Sequence, residues 1–191
     1  QGHRVLAVAG DRMAMKVTTP DDLILASHLV GGEQRTGIGT DTHRFTEDSS
    51  KPLFLGTIVW GGERGLDGHS DGDALSHAIV DAMLSAAGLG DIGSNFGVDR
   101  PEFSGANGKV FLEGALARIQ EHGWSLVNVS AQIIGNRPKV SPMRQQVQQA
   151  LTQLLHAPVT ISATTTDGLG FLGNTEGVAV VASVLIQRKD K

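Results

Sequence analysis

The sequence predicts an α/β fold in which helices cover a β-sheet. Three observations carry this. Strand-like and helix-like segments alternate along the 191 residues. Glycine is frequent, with 25 residues that lack any period and fall between apolar segments, so they mark tight turns rather than a collagen-like repeat. Hydrophobic residues make up 40% and charged residues 19%, enough apolar side chain to fill a core and too little charge for wholesale disorder.

Each element has its own signal. Residues 5–9 (VLAVA) read as a short strand and Gly10-Asp11 as a turn. Thr18-Thr19-Pro20-Asp21-Asp22 opens a helix over about 20–30, with Pro in the first turn and acids at the N-terminus. Gly31-Gly32 ends it and is the best internal boundary in the chain. Residues 34–45 pattern as a strand, and Pro52–Trp60 as one or two short strands around Gly56. Residues 61–72 form a glycine-rich loop. A helix over about 73–87 follows, with Leu75, Ile79, Met83 and Leu84 on its apolar side, and residues 89–108 are irregular. The rest reads as a helix over 109–122 stopped by Gly123, a strand over 125–134, a helix over 142–156, and strands over 159–166 and 178–187.

Composition removes several function classes. Net charge is −4, so there is no basic footprint for nucleic acid, and 4% aromatics with no Tyr argue against a base-stacking platform. Cysteine is absent, which excludes disulfide scaffolds, cysteine nucleophiles and thiolate zinc sites. A transition metal would have to be held by His and carboxylate. No apolar run approaches the roughly 20 residues of a membrane span. No secretory signal is present, and the chain begins with Gln1 rather than Met, as expected of a processed or cloned fragment.

Four constellations could carry chemistry. Asp41 and His43 stand two apart on a strand and so share a face; taken alone, an exposed Asp–His pair on an edge strand is the plainer reading. His69-Ser70-Asp71-Gly72-Asp73 precedes His77. Ser70 and Asp73 have capping-box spacing, with Ser70 as the expected N-cap, and a helix N-terminus also attracts phosphate. Asp73 and His77 share a helix face. Together, Asp41, His43 and His77 form a two-His, one-carboxylate set that suits Zn²⁺ with one position open. The remaining histidines, His3, His28, His122 and His156, fall in surface helices or tails and receive no role. Gly135-Asn136-Arg137-Pro138-Lys139 puts two basic groups at a strand end, either a phosphate contact or a solvated turn. Finally, Thr164–Gly173 contains G-x-G-x-x-G, but strand-patterned residues follow where a dinucleotide fingerprint needs a helix. Its hydroxyls and backbone N–H groups could hold a diphosphate, and Asp167 is a hard oxygen ligand suited to Mg²⁺ or Mn²⁺.

Five blocks in order, RTGIGTDTHRF at 35–45, GHSDGDALSH at 68–77, LGDIG at 89–93, Gly135–Lys139 and ATTTDGLGFLGNTEG at 163–177, resemble the 2-C-methyl-D-erythritol 2,4-cyclodiphosphate synthase family of non-mevalonate isoprenoid biosynthesis. The resemblance covers about residues 34–188. The first 33 residues resemble instead the C-terminal strand and helix of the preceding pathway enzyme, the methylerythritol-phosphate cytidylyltransferase, with which the synthase occurs fused. Lys16 matches a substrate-contacting lysine there. Without the nucleotide-binding part, no transferase activity is expected.

The resemblance implies a mixed β-sheet covered on one side by helices, assembled as a homotrimer around a central β-prism with three sites between subunits. It implies release of CMP from a cytidine diphosphate ester of methylerythritol 2-phosphate. The 2-phosphate attacks the β-phosphorus and an eight-membered cyclic diphosphate forms. Asp41, His43 and His77 match the zinc ligands and Asp167 the position that binds Mg²⁺ or Mn²⁺. His69 and Ser70 match residues holding the phosphate end of the substrate, and Asp91 and Gly93 the ribose-binding positions. Gly135, Lys139, Val140, Thr164 and Thr165 match the cytosine and phosphate pocket, and Phe171 and Asn174 fall on further substrate-binding positions. Three departures stand out: Val98 replaces an acid, with Asp99 next to it; Asp167 replaces the usual Glu; and Asn174 replaces a common Arg near the trimer axis, where the family has a cavity able to hold isoprenoid diphosphates, although Glu176 is retained. Bacterial cytoplasm is the expected compartment. A metal-dependent phosphohydrolase and a nucleotide-binding module without catalysis are the alternative readings.

Overall fold

The computed structural model describes residue 6 and residues 9–10, 14–30, 32–68, 70–97 and 106–189. The strand expected over residues 5–9, Asp11, Gly31 and His3 lie wholly or partly outside the described residues.

The element order is α1 (Pro20–Val30), β1 (Gln34–Arg44), β2 (Pro52–Leu55), β3 (Ile58–Arg64), α2 (Ala74–Ala87), α3 (Ile92–Phe96), α4 (Gly108–Glu121), β4 (Trp124–Ile134), α5 (Arg144–Leu155), β5 (Val159–Thr164), α6 (Gly170–Gly173) and β6 (Gly177–Arg188). Four strands form one mixed sheet in the order β1-β6-β4-β5, in which only β4 and β5 run parallel. β2 and β3 make a separate hairpin. Its Gly56-Thr57 turn has positive φ at both residues, the geometry that matches hairpin twist.

Burial alternates along the sheet strands. Gly37 and Gly39 of β1, Val129, Ala131 and Ile133 of β4, and Val180, Ala182 and Val184 of β6 are buried, whereas Ile38, Thr40, Ser130, Gln132, Val181 and Ser183 are exposed. Among the described residues, helices therefore cover one face of the sheet and leave the other open, as the sequence led us to expect. α2 is the central helix. Twelve of its fourteen residues are buried, including Leu75, Ile79, Met83 and Leu84, because it lies between the sheet and α4. It approaches β1 closely. A Cβ on Gly39 would fall 2.1 Å from the Ala78 carbonyl oxygen, and one on Gly37 2.1 Å from that of Ala82, so only glycine at both positions lets the helix backbone rest on the strand.

The edge strand β5 is guarded. Its outward amides at Val159 and Ile161 donate to Thr152 Oγ1 and Gln148 Oε1 of α5 at 3.1 and 2.9 Å, so side chains of a helix take the place of a further strand.

Some sequence expectations need correction. β3 continues through Gly61 and Gly62 to Arg64, so the glycine-rich loop starts later than expected. The segment 89–108 contains the short helix α3. β5 ends at Thr164, and the G-x-G-x-x-G stretch holds a single turn, α6, before β6 begins. That arrangement agrees with rejecting a dinucleotide fold. The N-cap of α2 is Asp73, not Ser70: Asp73 accepts the Ser76 N–H at 3.0 Å. Asp73 is fully buried, and its two oxygens also accept from Gly56 N–H, Thr57 N–H and the Ser76 hydroxyl. A buried carboxylate is tolerable only when its lone pairs are satisfied in this way.

Candidate metal centre and substrate site

β1 turns Asp41 and His43 toward the helix-covered face, in line with Gly37 and Gly39, and α2 lowers His77 onto them. His43 Nε2 lies 2.9 Å and His77 Nδ1 3.0 Å from the same oxygen, Asp41 Oδ2. The three ligand atoms fall within 4.8 Å of one another, and among the described residues this is the one group of three or more such side chains so placed. The two imidazole rings are tilted at 56° with centroids 5.7 Å apart.

The outer nitrogens are occupied as metal-binding imidazoles require. His43 Nδ1–H donates to the Asp67 carbonyl. His77 Nε2 lies 3.2 Å from Ser70 Oγ, so with Nε2–H donating to the hydroxyl, Nδ1 keeps its lone pair for a cation. Phe111 of α4 backs His77 edge-on, with centroids 5.6 Å apart, and Phe96 packs edge-on against Phe111. Burial pushes the Asp41 carboxyl up, but hydrogen bonds from His43 and His77, with their charge, outweigh it and hold the group well below the usual carboxylate range. The hydrogen bond to Asp41 raises His43 against the opposing effect of burial.

Asp91 and Gly93 flank Ile92, whose N–H donates to Asp81 of α2, four residues beyond His77. Asp91 is the N-cap of α3 and forms a capping box with Ser94. The Ser94 N–H and hydroxyl hold its carboxyl below the usual range. Asn95 Nδ2 ties the loop by donating to the Leu89 and Asp91 carbonyls.

The other candidates gather elsewhere. Gly135 N–H donates to the Thr164 carbonyl at 3.0 Å, and Asn136 Nδ2 donates to the Gly173 carbonyl, so the ends of β4 and β5 and the α6 turn meet. Thr165 Oγ1 donates to Asp167 Oδ1 at 3.2 Å, and Asp167 is exposed with positive φ. Lys139, Phe171 and Asn174 are exposed or partly so. The Val140 side chain is buried in the core and its carbonyl accepts from Met143 and Arg144, which leaves its backbone N–H as what it can offer a ligand. Thr164 and Thr165 of this second cluster stand at the end of β5, one edge of the sheet, and the Asp–His triad on β1, the other edge, while the α6 turn with Phe171 and Asn174 leads into β6 between them. Three strand spacings, about 14 Å, separate the edges of one sheet. His69, Val98 and Asp99 lie outside the described residues.

The profile of the YgbB family matches residues 34–187. The chain belongs to the YgbB family. Among the YgbB relatives, a bifunctional enzyme IspD/IspF of Clavibacter michiganensis is 49% identical over 196 residues, spanning 98% of this chain and 47% of that protein. The 2-C-methyl-D-erythritol 2,4-cyclodiphosphate synthase of Cutibacterium acnes is 48% identical over 157 residues, spanning 82% and 92%. Solved structures agree. The bifunctional IspDF from Campylobacter jejuni superposes with a TM-score of 0.79 at 35% identity, over 98% of this chain and 51% of that one. A 2-C-methyl-D-erythritol 2,4-cyclodiphosphate synthase in a CDP-bound form superposes at 0.73 and 35% identity, over 80% and 100%. The chain thus spans about half the length of the bifunctional relatives and nearly all of the single synthase. No described helix is long and apolar enough to cross a membrane.

Sequence reasoning missed three supporting residues: Asp67, whose carbonyl holds His43; Phe111, behind His77; and Asp81, discussed below. Asp81 left a usable trace, because it repeats the four-residue spacing of Asp73 and His77 along α2.

Proposed function

We propose that this chain converts 4-diphosphocytidyl-2-C-methyl-D-erythritol 2-phosphate to 2-C-methyl-D-erythritol 2,4-cyclodiphosphate with release of CMP, in the bacterial cytoplasm. The observation that carries this reading is the convergence of Asp41 Oδ2, His43 Nε2 and His77 Nδ1 in a chain of the YgbB family. The donor set, two imidazoles and one carboxylate with their outer nitrogens occupied, fits Zn²⁺. Asp167, a single exposed carboxylate, fits Mg²⁺ or Mn²⁺ if substrate phosphates and water complete the coordination. When bound, these ions supply Lewis-acid polarisation and charge neutralisation for a diphosphate.

The chain itself has a positioning task. The reaction makes one P–O bond, from the substrate 2-phosphate to the β-phosphorus, and breaks the P–O bond to CMP, so no protein nucleophile is needed. Holding both phosphates in place is the main contribution. Asp91 and Gly93 take the ribose, Ser70 and His69 the phosphate end, and Lys139 offers a cation to phosphate. Gly135, Val140, Thr164 and Thr165, with Phe171 and Asn174, frame the cytidine end.

The triad lies on β1 and the Thr164–Thr165 part of the cytidine cluster at the end of β5, opposite edges of one sheet. A ring of three chains, each lending its β5 edge to the β1 edge of the next, would unite them, and the open sheet face with Ile38 and Val181 exposed supplies apolar surface for such a homotrimer. Residues 1–33 read as the end of a fused cytidylyltransferase. In support, the bifunctional relative spans almost the whole chain and the single synthase only 82% of it, and Leu23, Ile24 and Leu25 of α1 are exposed.

The test is product analysis. Protein loaded with Zn²⁺ and Mg²⁺ should release CMP and yield a cyclic diphosphate by phosphorus NMR. An open-chain phosphate product would establish a hydrolase instead, and fully loaded protein that releases no CMP would overturn the proposal.

A further inference from the structure

Asp81 has no part in the reading above, yet it stands between the triad and the ribose-side loop of the same chain. It follows His77 by four residues on α2, so both project from one side of the helix. It sits over β1 where Gly39 leaves room: a Cβ on Gly39 would fall 2.8 Å from the Asp81 Cβ. Its Oδ1 accepts the Ile92 N–H at 2.7 Å. Ile92 opens α3, and its amide is one that the helix cannot satisfy from within.

The neighbouring contacts show what that bond adds. Asp91 directs its own carboxylate to the Ser94 N–H at 2.7 Å. Asn95 closes the loop on itself through Leu89 and Asp91, and Arg118 of α4 donates to the Asn95 carbonyl at the far end of α3. The Leu89 N–H returns to the Leu84 carbonyl at the end of α2. The Asp81 bond is the link from the middle of α2, one turn from His77, to the residue between Asp91 and Gly93. Burial pushes the Asp81 carboxyl up, as do the charges of Asp91 and Asp41, while the Ile92 N–H opposes them. A carboxylate is thus retained in an unfavourable place, with one backbone amide as its hydrogen-bond partner among the described residues.

We propose that Asp81 is a positioning residue that fixes the Leu89–Gly93 loop at a set distance from the Asp41–His43–His77 triad. The significance of that distance rests on the synthase reading, in which Asp91 and Gly93 hold ribose; the tether itself does not.

The test compares Asp81→Ala with Asp81→Asn, which keeps an acceptor oxygen. In ligand-free protein, amide hydrogen exchange over residues 89–96 should accelerate about tenfold in Asp81→Ala and stay near wild type in Asp81→Asn. Zinc content should remain that of wild type in both. With the cytidine substrate, KM should rise about tenfold in Asp81→Ala while kcat changes little, and Asp81→Asn should restore it. Unchanged exchange in Asp81→Ala overturns the proposal. So does equal damage in both variants, which would make charge rather than the tether responsible, or loss of zinc in step with KM, which would mean that α2 itself has shifted. If wild-type protein releases no CMP, the synthase reading fails while the exchange measurement still decides the tether.

Discussion

His77 is the side chain on which the metal site depends most, because α2 supplies it alone while β1 supplies both other ligands. In His77→Ala, zinc content should fall to near zero and CMP release should drop by at least about a hundredfold, since two ligands hold a catalytic zinc poorly. Wild-type zinc in that variant would refute the assignment. The titration of the triad gives a second prediction. His43 is raised above its ordinary 6.5, so its pairing stabilises the metal-free fold fully below that value and is lost as pH rises through the raised one. Asp41 is depressed below its ordinary 3.8, so its contribution is present above that value and is lost as pH falls through the depressed one. Zinc must therefore displace a proton from His43 to a growing extent as pH falls through its raised value. Calorimetry in buffers of different ionisation enthalpy should find proton release growing as pH falls from about 8 to about 6, and a release that stays flat over that interval would contradict the assignment.

Between elements, the β1–α2 contact decides whether the ligands meet. Gly39→Ala would place a methyl group 2.1 Å from the Ala78 carbonyl oxygen and 2.4 Å from the Ala82 nitrogen, so the helix must move away from the strand. We expect a loss of about 1–3 kcal/mol in urea unfolding and a weaker zinc site, because the same displacement carries His77 away from Asp41. Full zinc affinity in a destabilised Gly39→Ala protein would show that the triad tolerates the shift. The wiring around Asp73 works in the same direction. By joining the β2–β3 turn to the first turn of α2, it fixes where that helix begins and so which residue lies one turn in.

For the whole molecule, the placement of the triad on β1 and of the β5 strand that leads to Asp167 on the opposite sheet edge makes a prediction about assembly. A trimer of this 20.0 kDa chain should run at about 60 kDa. If each site takes its triad from one chain and its β5 cluster from the next, His77→Ala and Asp167→Ala should each be inactive alone. Mixed and reassembled in equal amounts, they should regain activity at about a quarter of the sites, because an intact triad then meets an intact Asp167 by chance. Absence of any recovery from a mixture shown to exchange subunits would place both groups in one chain's site.

The sequence by itself determined the types of the longer elements, though not the short helices α3 and α6, together with the two-residue spacing of Asp41 and His43, the four-residue spacing of Asp73 and His77, and the exclusion of cysteine chemistry. These depend on local periodicity and composition, which neighbouring residues dictate. Only the tertiary structure decided that Ser70 leaves the N-cap to Asp73 and lies beside His77, that Asp67 holds His43 by a carbonyl, and that Asp81 reaches α3. A cap competes with other acceptors for the same amide, and the buried turn at Gly56-Thr57 gave Asp73 partners that no local pattern displays. That the triad's β1 and the Thr164 end of β5 are opposite edges of the sheet was hidden from residue spacing for the same reason, and only the family resemblance implied sites between subunits. Strand order is set by how faces pack and not by sequence distance, and β6, last in the chain, inserts between β1 and β4 to separate them.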